Sequence, residues 1–441
     1  MVSRDTQVPL WSATEQATIL PASTDKKANC KGFVPNDHPY HTSQPDILAV
    51  FHHLRSMIKT DIAIIGGGIT GLWLLSLLRS QGYEALLFEK SKLGSGQTLA
   101  SQGMIHGGLK YNLDGVTGGA SETIASMPGI WRQCLAGDGV VDLSNVACLA
   151  WQYYLFSDGG LGSRLSAFLG SKAIRGGPRG LEREQFPDPF THDSFRGVVY
   201  EIPDVIIDTH SLVATLAQSN KDNLIEASPA PIPEDGQGIA GLRLDDGTVI
   251  NAQYYIFAAG IGNESLLADS NIPIATQRRG LHQVLVKGDL PFLNGHAVSL
   301  ASRDKPRFTV TSYTDDTQTV WYLGGDLAET GVNRNDKEQI EFARKELETF
   351  LPSVRTDSCS FKTLHIDRAE PKQQSQLRPD KPSCIQHGNV VVCWPVKLTL
   401  VPLLAQEVMD KIVKPPLPFT HPIPNTFRKA LPGDQPWGNL F

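Results

Sequence analysis

The chain has 441 residues, of which 41% are hydrophobic and 20% are charged, as in a soluble globular protein with two or three domains' worth of core. Its formal net charge of -6 argues against binding of nucleic acid, which requires a basic surface. No apolar run reaches about 18 residues, so we expect no transmembrane helix, and peripheral contact with a membrane is left open.

The six cysteines include no CxxC pair and are too few for a disulfide framework in a chain of this length. We therefore expect reduced thiols and a cytoplasmic location. No group of cysteines and histidines has the spacing of metal ligands, so the sequence predicts no metal site.

Residues 1–56 show no sustained helical or strand period and contain no apolar stretch of the kind found in secretory signals. We interpret them as a poorly ordered N-terminal extension. Two origins stay open: an upstream start codon, or a short docking segment.

A dinucleotide-binding signature begins after this extension. The apolar run 61–65 predicts a strand, and Gly66-Gly67-Gly68-Ile69-Thr70-Gly71 then satisfies G-x-G-x-x-G. A helix is predicted over 72–79 and a second strand over 83–88. Glu89 ends that strand, at the position where such folds carry the acid that binds ribose.

Each part of the signature has a physical role. Gly66 permits the tight turn, Gly68 lets the backbone approach a pyrophosphate, and Gly71 lets helix and strand pack closely. The N-terminus of the helix offers free N–H groups and the positive end of its dipole to the phosphates. Glu89 can accept hydrogen bonds from both ribose hydroxyls and would repel a 2′-phosphate, which favours FAD or NAD over NADP.

The next segment favours FAD. After Gly94-Ser95-Gly96-Gln97-Thr98, the chain continues with Ala100-Ser101-Gln102-Gly103-Met104-Ile105-His106-Gly107-Gly108-Leu109-Lys110-Tyr111. This stretch resembles the A-S-x-x-x-I-H-G-G-L-R-Y pattern of aerobic glycerol-3-phosphate dehydrogenases. The chain as a whole resembles the FAD-dependent oxidoreductases of the D-amino-acid oxidase and glycerol-3-phosphate dehydrogenase superfamily. An NAD-dependent dehydrogenase is the rival interpretation.

Three later segments extend the resemblance over residues 58 to 412. They are Val205–Thr209 before an apolar helix, the strand Tyr254–Gly260, and the strand Asn389–Trp394 before another apolar helix. Together the signature and the resemblance imply a set of cofactor contacts. These predicted contacts are Gly66, Gly68, Ile69, Thr70, Gly71, Glu89, Lys90, Ser101, Gln102, Gly103, His106, Ala259, Gly260, Lys397, Leu398 and Thr399.

Material for a second domain lies between these segments. Strands are predicted at 280–287, 308–312 and 319–324, and an amphipathic helix at 336–351. The resemblance implies an α/β fold in which a Rossmann-like FAD-binding domain is interleaved with an α+β substrate domain containing a mixed, mostly antiparallel sheet. The predicted division is 1–56 extension, 57–140 FAD-binding, 141–200 substrate, 201–272 FAD-binding, 273–365 substrate, 366–412 FAD-binding and 413–441 tail.

The predicted catalytic residues are His106, Tyr322, Arg368 and Lys397. An imidazole titrates near neutral pH, so His106 could accept a proton. It could instead pack against the flavin and hydrogen-bond the backbone, or be attached covalently to the flavin. Lys397 stands where the family usually has a glycine-rich turn. There it would place positive charge near the flavin pyrimidine, unless it turns to solvent.

Two arginines are candidates for clamping a substrate carboxylate, since a guanidinium matches it bidentately. We favour Arg368 over Arg378, and an ion pair with Glu370 is the alternative. Tyr322 could face the flavin or pack in the core. The pair Arg278-Arg279 is interpreted as a solvated strand end.

The resemblance implies an FAD-dependent oxidase or dehydrogenase that oxidises a small polar amine or alcohol of the 2-amino or 2-hydroxy acid type, with hydride transfer to flavin N5. Electrons would pass on to oxygen, a quinone or an electron carrier. Two alternatives stay open: a glycerol-3-phosphate dehydrogenase-like activity, and a flavin-binding subunit without a substrate of its own.

Overall fold

The computed structural model describes residues 57–107, 119–158, 178–234, 236–299, 305–373, 379, 381–418 and 427–441. The predicted extension 1–56, the end of the glycine-rich stretch at 108–111, and Arg378 lie outside these residues. Within the described ranges, no helix has the length and apolar character needed to cross a membrane.

The strands and helices of the described residues are numbered here in chain order. The strands are β1 Met57–Ile65, β2 Ala85–Glu89, β3 Met104–Ile105, β4 Cys148–Ala150, β5 Tyr153–Ser157, β6 Arg179–Gly180, β7 Val199–Ile202, β8 Val205–Ile207, β9 Leu224–Glu226, β10 Ala230–Glu234, β11 Gly238–Arg243, β12 Val249–Phe257, β13 Thr276–Gly288, β14 Gly295–Val298, β15 Phe308–Asp315, β16 Gln318–Gly324, β17 Ser360–Pro371, β18 Ser383–His387 and β19 Val390–Trp394. The α-helices are α1 Ile69–Ser80, α2 Gly119–Leu135, α3 Thr209–Ser219, α4 Asn263–Asp269, α5 Asp326–Thr330, α6 Asp336–Phe350 and α7 Val401–Met409.

The first sheet has a parallel centre. Its order is β10-β11-β12-β1-β2-β9, with β19 beside β12 and β18 beside β19. Strand β1 runs parallel to both β12 and β2, and β12 runs parallel to β19. Ile62, Ala63 and Ile64 in β1 are all fully buried, because both faces of this sheet are covered. This is the predicted Rossmann-like unit.

Helices α1, α3 and α7 pack together on one face of that sheet. Their apolar side chains, among them Trp73, Leu216 and Leu404, share one buried cluster. Asp208 caps α3 by accepting hydrogen bonds from the N–H groups of His210 and Ser211. The segments 205–209 and 389–394 thus lead into apolar helices, as predicted.

The second sheet is mixed and mostly antiparallel, as predicted. Its order is β17-β13-β16-β15-β14-β5-β7-β6, and only the β14–β5 pair is parallel. Helix α6 covers part of it through Ala343, Leu347 and Phe350. A capping box between Asn335 and Glu338 starts this helix.

The two sheets alternate along the chain, which confirms the interleaved architecture. A third, small sheet of β3, β8 and β4 carries Met104 and Ile105 of the glycine-rich stretch 100–111. The predicted boundary at residue 366 falls inside β17, which pairs with β13 from Ser360 to Pro371. Residues 366–371 therefore belong to the second sheet.

Candidate active site

A cavity of about 1260 Å³ lies between the two sheets. On one side it opens beyond the carboxyl ends of β1, β2 and β12, where open α/β sheets bind their ligands. On the other side its wall comes from β13, α5 and β17. The volume exceeds that of an ordinary small-molecule pocket and can hold a dinucleotide together with a small substrate.

The glycine turn, residues 66–71, lines the part of the cavity beyond the end of β1. Gly66 has a φ of +111°, and a Cβ there would lie 2.6 Å from the Ala258 carbonyl oxygen. A Cβ on Gly71 would lie 2.0 Å from the Gly66 carbonyl oxygen, so α1 and β1 require a glycine at this crossing. Gly68 differs, because the nearest protein atom to its Cβ position is Thr98 Oγ1 at 3.4 Å. The open side of Gly68 is the side of the cavity.

The N-terminus of α1 faces the cavity with Ile69 and Thr70. It has no acidic residue in its first turn and no side-chain cap from Gly68. The Ile69 N–H is donated to Thr98 Oγ1 at 2.9 Å. The positive end of the helix dipole is therefore left to attract a phosphate.

Glu89 is held at the end of β2 by the backbone. The N–H of Gly67 is donated to its Oε2 at 2.7 Å, and the N–H of Ser91 to its Oε1 at 3.0 Å. Glu89 and Lys90 both line the cavity. A carboxylate fixed at this point is compatible with binding of ribose hydroxyls, and that role of Glu89 stays a prediction.

The end of β12 completes the cofactor side. Ala259 and Gly260 line the cavity, and the N–H of Ala259 is donated to Asn263 Oδ1 at 2.9 Å. The side-chain amide of Asn263 in turn donates to the carbonyl of Cys393. The ends of β12 and β19 are thus tied together beside the glycine turn. This arrangement fits a flavin dinucleotide.

Comparison with known proteins decides the family. A family model described as FAD dependent oxidoreductase (DAO) matches residues 61–394. The chain belongs to the DAO family of FAD-dependent oxidoreductases. The probable FAD-dependent oxidoreductase PA4991 of Pseudomonas aeruginosa is 43% identical over 359 residues, which are 80% of this chain and 91% of that protein. Its crystal structure has a TM-score of 0.74 at 37% identity and covers 86% of this chain and 98% of its own.

Two more distant crystal structures share the fold at 16% identity. Glycine oxidase from Geobacillus kaustophilus has a TM-score of 0.58 and covers 82% of this chain and 96% of its own. Iminodiacetate oxidase from Chelativorans sp. BNC1 has a TM-score of 0.59 and covers 85% of this chain and 100% of its own. The DAO protein is thus an oxidoreductase whose cofactor is FAD.

The turn after β19 has an unusual backbone. Val396 has a φ of 63°, the left-handed region that a β-branched residue rarely enters. Lys397 follows it, is only 6% exposed, and lines the cavity together with Leu398. Lys397 is therefore not turned to solvent, and the contact of its charge with the cofactor stays a prediction.

The glycine-rich stretch divides at Gly103. Ser101 and Gln102 line the cavity. The Gln102 amide donates to the Tyr322 carbonyl at 2.6 Å, which fixes its orientation. Gly103 has a φ of +66°, and a Cβ there would lie 2.0 Å from the Ile207 carbonyl oxygen. The glycine is thus required by the close approach of β8, a protein contact that the sequence did not reveal.

His106 lies beyond this crossing and is 7% exposed. Its backbone N–H is donated to Thr399 Oγ1 at 2.9 Å, and the Thr399 carbonyl accepts from Trp131 Nε1. His106, Thr399 and Gly103 are not among the described residues that line the cavity. Their roles toward the cofactor stay predictions, and the structure gives each a packing role.

Tyr322 lies behind the cavity wall rather than on it. Its hydroxyl is 2.8 Å from the Ala100 carbonyl oxygen and 2.8 Å from Gln283 Oε1. Burial raises the pKa of this phenol well above its usual value. Tyr322 therefore stays protonated, and its position favours bracing of the glycine-rich stretch over direct catalysis.

Arg368 lines the cavity on β17, with its side chain 13% exposed. Its Nη2 lies 3.1 Å from Glu329 Oε1 on α5. The suspected partner Glu370 instead pairs with Arg279 at 2.7 Å. Arg279 is only 27% exposed, so the interpretation of Arg278-Arg279 as a solvated strand end is wrong for Arg279.

Sequence reasoning missed four charged residues of the cavity wall: Lys305, Asp326, Glu329 and Asp367. Lys305 forms an ion pair with Glu329, which also contacts Arg368. For Asp326 and Glu329 the signal in the sequence is the pair Gly324-Gly325, which turns the chain from β16 into α5 with a φ of +75° at Gly325.

Proposed function

We propose that this oxidoreductase oxidises a small 2-amino acid, with FAD as the electron acceptor. The observation that carries the proposal is a wall of charged side chains opposite the cofactor side of the cavity. Arg368 and Glu329 stand there 3.1 Å apart, with Lys305 and Asp326 beside them on the same wall.

Arg368 supports recognition of a carboxylate. A guanidinium on a rigid strand offers two parallel N–H donors, and low exposure strengthens the attraction. Its exposure is 13%, so a carboxylate that reaches it would be largely removed from water. Arg368 would hold one end of the substrate against β17.

Glu329 supports an amino acid over a 2-hydroxy acid. Its side chain is 21% exposed and lies beside Arg368, so the wall offers a negative group as well as a positive one. A substrate with both an ammonium and a carboxylate matches the Glu329 carboxylate and the Arg368 guanidinium together, whereas a hydroxy acid brings no cation that could add to Lys305 at Glu329. The DAO neighbours named glycine oxidase and iminodiacetate oxidase agree with this chemistry.

The experiment is an anaerobic screen of the FAD-loaded full chain. Glycine, D- and L-alanine, D- and L-lactate, propylamine, propionate and glycerol 3-phosphate are mixed with it separately, and loss of the visible absorbance of oxidised flavin is followed. We expect the amino acids to bleach the flavin, and propylamine, propionate, both lactates and glycerol 3-phosphate to leave it unchanged.

The other outcomes each decide against the proposal. Bleaching by lactate alone would replace the amino acid with a hydroxy acid, and bleaching by glycerol 3-phosphate alone would replace it with that substrate. No bleaching by any compound would favour a flavin-binding subunit. For a substrate that does bleach the flavin, return of colour with air or with a quinone analogue identifies the acceptor.

A further inference from the structure

Three potential metal ligands meet beside the charged wall. His282 lies on β13, His365 lies opposite it on β17, and Asp336 starts helix α6. Asp336 Oδ1 is 3.2 Å from His282 Nε2 and 3.5 Å from His365 Nε2. One donor atom from each residue lies within 4.8 Å of the other two. Because the three come from separate elements, ligand spacing in the sequence could not predict this group.

The hydrogen bonding of His282 leaves one ring nitrogen aimed at this group. The side chain is 0% exposed, and its Nδ1 lies 3.0 Å from the Gly331 carbonyl oxygen. A carbonyl only accepts, so Nδ1 carries a hydrogen and the neutral ring presents a lone pair at Nε2. Among the described residues, Nε2 has no hydrogen-bond partner, although it faces the carboxylate of Asp336.

A lone pair and a carboxylate oxygen facing each other are the donors that a cation requires. Ligands of tetrahedral zinc, bound at about 2.0–2.1 Å, are separated by roughly 3.3 Å. The distances of 3.2 and 3.5 Å agree with that separation. The Gly331 carbonyl on Nδ1 is also the kind of partner that orients metal-bound histidines.

The exposed side chains of His365 and Asp336 must rotate before all three residues can bind one ion. The rings of His282 and His365 are stacked, with centroids 3.8 Å apart, whereas a metal lies in the plane of each imidazole that binds it. His365 is 62% exposed and Asp336 is 69% exposed, so both can rotate toward an ion that the buried His282 holds in place.

We propose that His282, Asp336 and His365 bind one divalent transition-metal ion, most favourably Zn²⁺. Two imidazoles and one carboxylate suit zinc better than calcium or magnesium, which prefer oxygen ligands. The ion would join β13, β17 and α6. His365 lines the cavity on the same strand as Arg368, so the ion would fix the rim beside the charged wall. A fourth coordination position stays available for water.

The experiment uses the FAD-loaded full chain without a histidine tag, after treatment with a chelator and dialysis. Zinc is titrated by calorimetry and by competition with a chromogenic chelator, and bound metal is measured by mass spectrometry. We expect one zinc per chain. His365→Ala and Asp336→Ala should each weaken binding by at least ~10-fold, as loss of a supporting group already does.

His192→Ala is the matched control, because this histidine is exposed in a turn of the second domain. It should bind zinc as wild type does. Both test residues are exposed, and flavin content and circular dichroism verify that their variants are folded. Zinc should also raise the melting temperature of wild type and of His192→Ala, but not of His365→Ala. Absence of saturable binding, or equal affinity in wild type and His365→Ala, would overturn the proposal.

Discussion

The cofactor end of the cavity, beside the glycine turn 66–71, is built from backbone turns, and the proposed substrate end, beside Arg368, is built from charged side chains. At the first end Gly66 and Gly71 allow approaches that no other residue would, and Glu89 is held by N–H groups. At the second end Arg368 and Glu329 balance each other on β17 and α5. Backbone turns allow few sequences, so the cofactor end is recognisable from a motif. Many different charged residues can form ion pairs in the same place, so the substrate end can vary between relatives that share one fold.

The largest effect is expected at Gly71. Gly71→Ala places a methyl group 2.0 Å from the Gly66 carbonyl oxygen, a backbone atom that cannot move away without separating α1 from β1. We expect a loss of at least ~3 kcal/mol in the free energy of unfolding, measured by thermal or chemical denaturation. Gly96→Ala is the control, because nothing lies within 4 Å of its Cβ position. Equal losses in both variants would contradict the assigned crossing.

Gly68→Ala should separate cofactor binding from folding. Its Cβ would contact only Thr98 Oγ1 at 3.4 Å, so the protein itself tolerates alanine. The methyl group enters the space that the pyrophosphate requires. We expect FAD affinity to fall by roughly 100-fold, or ~2.8 kcal/mol, with the stability of the cofactor-free protein unchanged. A variant that purifies as yellow as wild type would refute the placement of the pyrophosphate.

Arg368 tests the substrate end. Arg368→Ala removes a charged hydrogen-bond donor worth about 2 kcal/mol, so kcat/KM for the amino acid should fall by roughly 30-fold. The flavin content should not change, because β17 contributes no residue to the glycine turn. Arg368→Lys should recover little, since a point charge lacks the bidentate fork. If Lys restores full kcat/KM, Arg368 acts as a general positive charge and does not clamp the carboxylate.

Lys397 lines the cavity just after β19, and its effect should appear in the flavin potential. A positive charge beside the cofactor favours the reduced, anionic form by about 1–2 kcal/mol after desolvation, and ~1.4 kcal/mol is 30 mV for two electrons. Lys397→Met should therefore lower the midpoint potential by roughly 20–40 mV and weaken sulfite binding. Lys90→Met, at the exposed cofactor edge, should change neither quantity. The same values in both variants would place the Lys397 charge away from the ring.

The smallest effect is expected at Val396, where φ is 63°. A left-handed backbone costs a residue with a Cβ about 1–2 kcal/mol, and glycine avoids this cost. Glycine is also more flexible in the unfolded chain, which reduces the gain in stability by about 0.5–1 kcal/mol. Val396→Gly should therefore stabilise the protein by about 0.5 kcal/mol and leave the flavin in place. Val396→Ala keeps a Cβ and should not reproduce the gain. A destabilised glycine variant would show that the valine side chain matters more than the backbone strain.

The amino-acid sequence by itself determined the cofactor end. The glycine turn, its flanking strand and helix, and Glu89 are close in sequence, and each follows from a local limit on the backbone. The order of the remaining segments then indicated FAD and an interleaved second sheet. These inferences succeed because backbone geometry is similar wherever such a turn occurs.

Only the tertiary structure decided which side chains meet at the substrate end. Arg368 and Glu370 are two positions apart on β17 and point to the same face, so the strand alone would allow them to pair. The register of β13 against β17 instead brings Arg279 to Glu370. The same register brought His282 against His365. Burial placed Tyr322 behind the wall rather than on it. Such contacts join segments that are distant along the chain, and no local pattern records them.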